Sequence, residues 1–196
     1  SDCNIENNKF INNGFAKAVY NHNLYFGGHA SESTNVVISN NFLYQSAMVE
    51  GTCKGVSLVV HGRVDGMLIS DNQVVEDIGK ASPSCWGIAV DSGYADEEYF
   101  RNISIINNTV SNVGNNGISC RSCFDVLIKG NKITQVQAFK SKGIAIGEQE
   151  GKAPTGNVSV INNTVFFGNG SYDYQAFTYA AGTVIADKNN KEIFFK

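Results

Sequence analysis

The sequence predicts an all-β chain, a single solenoid of the parallel β-helix kind with about six to seven coils. Three observations predict it. A short apolar–asparagine motif recurs at unequal spacing, apolar residues keep one register around every copy, and no ten-residue stretch carries helical periodicity. The chain has 196 residues, which suits one domain with a sizeable core and not two.

The motif reads Ile5-Glu6-Asn7-Asn8-Lys9-Phe10, Ile38-Ser39-Asn40-Asn41-Phe42-Leu43 and Ile69-Ser70-Asp71-Asn72-Gln73-Val74 in the first half. In the second half it reads Ile105-Ile106-Asn107-Asn108-Thr109-Val110, Ile128-Lys129-Gly130-Asn131-Lys132-Ile133 and Val160-Ile161-Asn162-Asn163-Thr164-Val165. Much of the chain's asparagine, 24 residues in all, sits in these settings. Between the anchors Asn8, Asn41, Asn72, Asn108, Asn131 and Asn163 the period runs from 23 to 36 residues. A fixed motif with a variable period means a constant coil into which loops of different length are inserted.

The first strand of each coil leads into the anchor. Five residues before it stand Cys3, Val36, Met67, Ile103, Val126 and Val158, and three before it Ile5, Ile38, Ile69, Ile105, Ile128 and Val160. The second strand follows, with Phe10, Leu43, Val74, Val110, Ile133 and Val165 two residues after the anchor. All of these positions are apolar in a chain that is 42% hydrophobic, so a strand–turn–strand unit with one buried side is expected. The anchors should fall in one axial line, where asparagine tolerates a left-handed corner and its amide can both donate and accept.

A third strand completes each coil and usually opens with glycine: Gly55-Val56-Ser57-Leu58, Gly87-Ile88-Ala89-Val90, Gly117-Ile118-Ser119-Cys120 and Gly143-Ile144-Ala145-Ile146. Asn23-Leu24-Tyr25-Phe26 fits the slot in the first coil and Ala176-Phe177-Thr178-Tyr179 in the last. The solenoid is expected over 1–182, with 183–196 as a C-terminal strand or capping segment. The polar opening Ser1-Asp2-Cys3-Asn4 reads as neither a signal peptide nor a cap, so a piece of a longer chain is expected.

This pattern resembles the right-handed parallel β-helix repeat of the pectate-lyase-like superfamily, which includes polysaccharide lyases, epimerases, glycosidases and phage tailspikes. The resemblance covers about residues 2–180 and is specific for fold rather than for reaction. It implies a polysaccharide partner, an extracellular or virion-associated setting, and, for a tailspike, a homotrimer.

Charge and composition narrow the partners. Fifteen Lys and Arg against eighteen Asp and Glu give a net charge of −3, with the basic residues scattered, so nucleic acid is not expected. No apolar run approaches the roughly 18 residues that cross a membrane. Five cysteines cannot all pair, and Cys120-Arg121-Ser122-Cys123 lacks a second metal-binding pair, so buried thiols made in a reducing cytosol are expected.

Aligning the coils on the third-strand glycines, Gly55 included, brings chemistry-bearing residues into neighbouring coils. The fourth position holds Gly27, Val59, Asp91, Arg121 and Gly147, the fifth includes Glu148, and the sixth holds His29, His61, Gly93, Cys123 and Gln149. His22 lies at the same edge, as do the long inserts 27–35, 92–102 and 147–157, which bring Tyr25, Tyr94, Tyr99 and Phe100 beside the row. Aromatic faces beside polar groups suit sugar rings. For β-elimination or epimerisation of a uronic acid, His61 or His29 would be the base and Arg121 the carboxylate neutraliser. For hydrolysis, Asp91 and Glu148 would be the carboxylate pair. Calcium chemistry needs two or three stacked carboxylates, and Asp91 is alone in its row, so no metal or other cofactor is expected and calcium stands as the alternative. The run Asp96-Glu97-Glu98 reads as a solvated loop tip. A glycan-adhesive or structural segment that binds without cutting is the competing function.

Overall fold

The computed structural model describes residues 2–14, 20–93, 97–149, 152, 154–168, 172–183 and 185–195, and the side chains of 29 and 30 lie outside that description. Among the described residues there are strands, turns and bends and no helix. The period-two apolar runs place one side of most strands in the core, and the pairing follows the repeat. In one row of partners stand Leu24, Leu58, Ile88, Ile118, Ile144 and Phe177. In a second stand Cys3, Val36, Met67, Ile103, Val126, Val158 and Ile185. In a third stand Phe10, Leu43, Val74, Val110, Ile133, Val165 and Glu192.

The first two rows belong to one eleven-stranded sheet, the third to a seven-stranded sheet, and every pairing in both is parallel. The larger sheet curls because the long strands Leu24–Ser39 and Val56–Ser70 run through both of its rows. Each strand of these two sheets pairs with its counterpart one repeat away, an arrangement compatible with a β-helix-like solenoid. The core is the space these rows enclose. Val36, Ile38, Leu43, Met67, Ile69, Val74 and the matching residues of the next three repeats are all buried. Cys3, Ile5 and Phe10, from the end repeat, pack against them half-buried.

A ladder of amides runs through the core. Each anchor's Nδ2 donates to the next anchor's Oδ1: Asn8 to Asn41, Asn41 to Asn72, Asn72 to Asn108, Asn108 to Asn131 and Asn131 to Asn163, all at 2.9–3.1 Å. The same Oδ1 accepts the backbone N–H of the preceding anchor, so each corner's orphaned donor is satisfied. Asn163 donates onward to Asn190 at 3.0 Å, which adds a rung within the tail. The strands Ile185–Lys188 and Lys191–Phe194 continue both sheets there. Asp187 and Glu192 stand where other repeats are apolar, so this rung lacks the flanking pattern of the others.

The corner itself corrects one expectation. The left-handed residue is not the anchor but the one before it: Asn7, Asn40, Asp71, Asn107, Gly130, Asn162 and Asn189 all have φ between 53° and 68°. The paired residues divide the work. The first takes a conformation that asparagine, aspartate and glycine tolerate best, and the second turns its amide inward.

The cysteines correct another. Cys53 and Cys85 form a disulfide with Cα atoms 5.3 Å apart, and Cys120 and Cys123 form a second, leaving Cys3 as a thiol. These bonds accord with an oxidising, extracellular setting and run against buried thiols kept reduced in a cytosol. Composition could not reveal the pairing of Cys53 with Cys85, because 32 residues separate two positions that the repeat stacks together. A loop of that size stabilises the fold by about 3–4 kcal/mol through restriction of the unfolded chain.

Beside the first disulfide lies Glu76, 1% exposed, its Oε1 accepting the Ser46 N–H at 2.7 Å. Burial pushes its carboxyl from 4.5 up to about 8, with the Ser46 bond countering in part and Asp77 adding to the rise. The folded chain therefore holds a proton there that the unfolded chain releases between those values. The resulting stabilisation is fully present below about pH 4.5 and is lost as pH climbs through about 8. Unfolding free energies from denaturant titrations across that window should fall by about 1.4 kcal/mol per pH unit from this group, and Glu76→Gln should flatten the profile. An unaltered slope in the variant would count against a buried neutral carboxyl.

Candidate functional site

The row that begins at Leu24 carries the site because its strands are covered on both sides. Trp86–Val90 and Asn116–Arg121 are buried almost throughout, whereas Tyr99–Ile106, in the other row of the same sheet, alternates between buried and open. The outward residues Val59, Ala89, Ser119 and Ala145 are small and buried, so larger neighbours fold over them and leave a cleft. That cleft has a volume of about 310 Å³, and His22, Val59, His61, Trp86, Asp91 and Ser92 are among its walls.

The strand register places the polar groups. Tyr25, Val59 and Ala89 are partners, as are Gly27 and His61, while Arg121 pairs with Gly147. Asp91 follows Val90, the partner of both Val60 and Cys120. The candidate row is therefore Gly27, His61, Asp91, Arg121 and Gly147. Gly55 had stood as the alignment glycine of the second coil, yet Ser57 occupies that slot, and His61 moves two residues into the row of Asp91. His29 falls outside this row, and its side chain lies outside the described residues.

His61 Nδ1 is 2.5 Å from the Asp91 carbonyl oxygen and 3.5 Å from Asp91 Oδ1. A carbonyl oxygen can only accept, so Nδ1 carries the proton, and in the neutral ring Nε2 keeps the lone pair. Burial raises the Asp91 carboxyl above its ordinary range, His61 and then Arg121 pull it back, and Glu98 raises it. His22 donates from Nδ1 to the Val56 carbonyl at 3.2 Å, and burial chiefly holds its imidazole below the usual range, so it is neutral near pH 7. Tyr25 stacks on His22 at 5.8 Å and tilts against His61 at 5.5 Å. Arg121 lays its guanidinium over the Trp86 ring, 5.1 Å from the centroid. The cleft thus brings together a base, a buried carboxyl and the Trp86 ring, with Tyr25 and the Arg121 cation beside it.

No family model, curated protein or solved structure matches this chain. The functional reading therefore rests on the geometry of the cleft.

The other expected residues are dispersed. Glu148 is exposed and lines a second hollow with Arg121, Lys142 and Tyr179, outside the cleft that Asp91 lines. Tyr99 belongs to the neighbouring row, pairs with Arg63 and donates to Glu32 at 2.6 Å, away from the cleft walls. Tyr94 lies outside the described residues, as does Asp96. The insert 27–35 is not a free loop but strand, interrupted by a register shift between Gly28 and Ser33.

Three contributors were not singled out from the sequence. Trp86 is the chain's one tryptophan and immediately precedes a third-strand glycine, a signal that was present. Glu98, expected at a solvated tip, is 6% exposed and accepts the N–H groups of Gly62 at 2.5 Å and Gly93 at 2.7 Å. Glu97 beside it does face solvent, 4.0 Å from Arg63. Gln149 holds Ser92 by both backbone groups, accepting its N–H at 2.9 Å and donating to its carbonyl at 2.7 Å.

Gly62 has φ +97, a conformation that side chains resist, and it bends Val56–Ser70 where Glu98 grips it. Gly93 is needed for closeness instead, since a Cβ there would come within 2.7–2.8 Å of three atoms of the His61 ring. Gly93→Ala should displace the imidazole without unfolding the chain, because a side chain rather than backbone must yield. Its His61 ring protons should shift in NMR spectra while the far-ultraviolet circular dichroism stays that of the parent. An unshifted His61 spectrum would contradict the contact.

Proposed function

We propose that this chain is a right-handed parallel β-helix of six to seven coils that binds a polysaccharide and cleaves it by β-elimination, in keeping with its resemblance to pectate-lyase-like repeats. The observation that carries the reading is the row His61, Asp91 and Arg121, on strands about 4.8 Å apart, beside the rings of Trp86 and Tyr25. His61 Nε2 takes the proton next to a uronic carboxylate, and Arg121 neutralises the enolate that forms. As the bond to the leaving sugar oxygen breaks, Asp91, whose carboxyl burial raises above its ordinary range, is the group placed to return a proton to that oxygen. Hydrolysis by a carboxylate pair has less support, since Glu148 is exposed and stands two strands from Asp91, one residue past the row. The two disulfides favour an extracellular or virion-associated setting, and a homotrimer of the tailspike kind belongs to the same reading.

Incubation with acidic and neutral polysaccharides tests it, with reducing ends and the ultraviolet absorbance of unsaturated products measured together. Both signals on an acidic polymer are expected. Reducing ends alone would replace elimination by hydrolysis. Binding with neither signal would replace catalysis by a glycan-adhesive role.

A further inference from the structure

The cluster of Cys53, Cys85 and Glu76 lies apart from the reacting groups and has no part in the mechanism above. One sulfur from each cysteine and one Glu76 carboxylate oxygen all lie within 4.8 Å of one another, and all three residues are at most 1% exposed. Backbone bonds fix each of them in place. Cys53 N–H donates to Lys80 O at 2.7 Å, Cys85 N–H to Ser82 O at 2.9 Å, and Glu76 N–H to Ser111 O at 2.9 Å. Glu76 Oε1 is committed to Ser46, but Oε2 is buried with no hydrogen-bond partner. A buried carboxyl oxygen without a hydrogen-bond partner is costly whether or not it carries the proton, unless something else answers it.

We propose that Cys53, Cys85 and Glu76 form a binding site for a zinc-class divalent cation when the disulfide is reduced. Two thiolates and a carboxylate are a donor set such ions accept, with water in the fourth position. Bonds of about 2.3 Å from the metal to each sulfur set tetrahedral sulfurs about 3.8 Å apart. The sulfurs therefore need only separate from their bonded distance while the carboxylate stays close to where it is. Reduction requires a dithiol as the co-reactant. Its two sulfurs join in a new disulfide, its two electrons break the Cys53–Cys85 bond, and its two protons pass to the freed thiols. The incoming cation then displaces the thiol protons, and the carboxyl proton where present, to solvent.

The consequence is a staple that works in either redox setting. The same two repeats are joined by a metal before oxidation and by a disulfide after it, next to Gly55, Pro83 and Ser84 on the wall of the cleft.

Cadmium is the probe, read by its thiolate-to-metal charge-transfer absorption. The chain carrying Cys3→Ser, Cys120→Ser and Cys123→Ser is reduced, freed of reductant without air, and titrated. One Cd²⁺ per chain is expected, with none bound before reduction. Glu76→Gln, which keeps its acceptor for Ser46, should weaken binding at least about 10–100-fold, the loss that even an outer-shell partner of a metal can cause. Should the serine background not fold, the reduced natural chain is alkylated with and without Cd²⁺, and the ion should protect Cys53 and Cys85. Absence of binding, equal affinity in Glu76→Gln, or equal alkylation of Cys53 and Cys85 would overturn the proposal.

Discussion

Asn108→Ala is expected to cost about 3–5 kcal/mol of stability, because truncation strands several buried groups at once. Asn108 Oδ1 accepts both the backbone N–H and the Nδ2 of Asn72, at 3.0 and 2.9 Å. Its Nδ2 donates to Ile69 O at 2.9 Å and to Asn131 Oδ1 at 3.0 Å. Asn72, Asn108 and Asn131 are at most 1% exposed, so water cannot replace the lost partners without entering the core. Asn108→Asp would keep the acceptor and lose the donors, and should fall between alanine and the parent near neutral pH only if the charge is neutralised. Equilibrium denaturation with urea measures the effect. A midpoint for Asn108→Ala equal to that of the parent would mean that the ladder adds nothing to the stacking of the strands.

His61→Ala is expected to reduce turnover of the cleaved polysaccharide by about 10²–10⁴-fold, the usual contribution of a positioned general base. Arg121→Ala should cost about 10²–10³-fold by removing the charge that meets the developing enolate. Both variants should keep the parent's circular dichroism, since neither side chain belongs to the enclosed core. Asp91→Asn separates the chemistries. A leaving group that is already a good one should suffer little from it, whereas a poor one should lose most of its rate. Full activity in both His61→Ala and Arg121→Ala on the true substrate would place the reacting groups elsewhere on the chain.

Much of the fold was legible because its constraints are local and repeated. Ile38, Ile69, Ile105, Ile128 and Val160 recur at one distance from an asparagine, and only strands that pair one repeat apart bury all of them together. The ladder could be anticipated for the same reason, since equal offsets in every coil imply superposition along the axis. Asn190 escaped because Asp187 and Glu192 break the apolar pattern at the exposed end of the stack, where burial no longer demands it.

The cleft was less legible, and the second coil shows why. Side chains alternate across a strand with a period of two, so a slip of one residue reverses every face while a slip of two leaves the pattern intact. Gly55 and Ser57 therefore fit the apolar code equally well, and pairing with Leu24–Ser39 and Trp86–Val90 chose between them. That choice set His61 in register with Asp91 rather than with Gly93. Glu98 and Gln149 were hidden for a different reason: their bonds to Gly62, Gly93 and Ser92 join segments whose meeting depends on how the inserts pack. The amino-acid order thus settled the strands, the repeat and the asparagine axis, because burial enforces them at every coil. Tertiary pairing alone decided the register of the second coil, the Cys53–Cys85 bond and the walls of the cleft, because face alternation is blind to even shifts and loops carry no period.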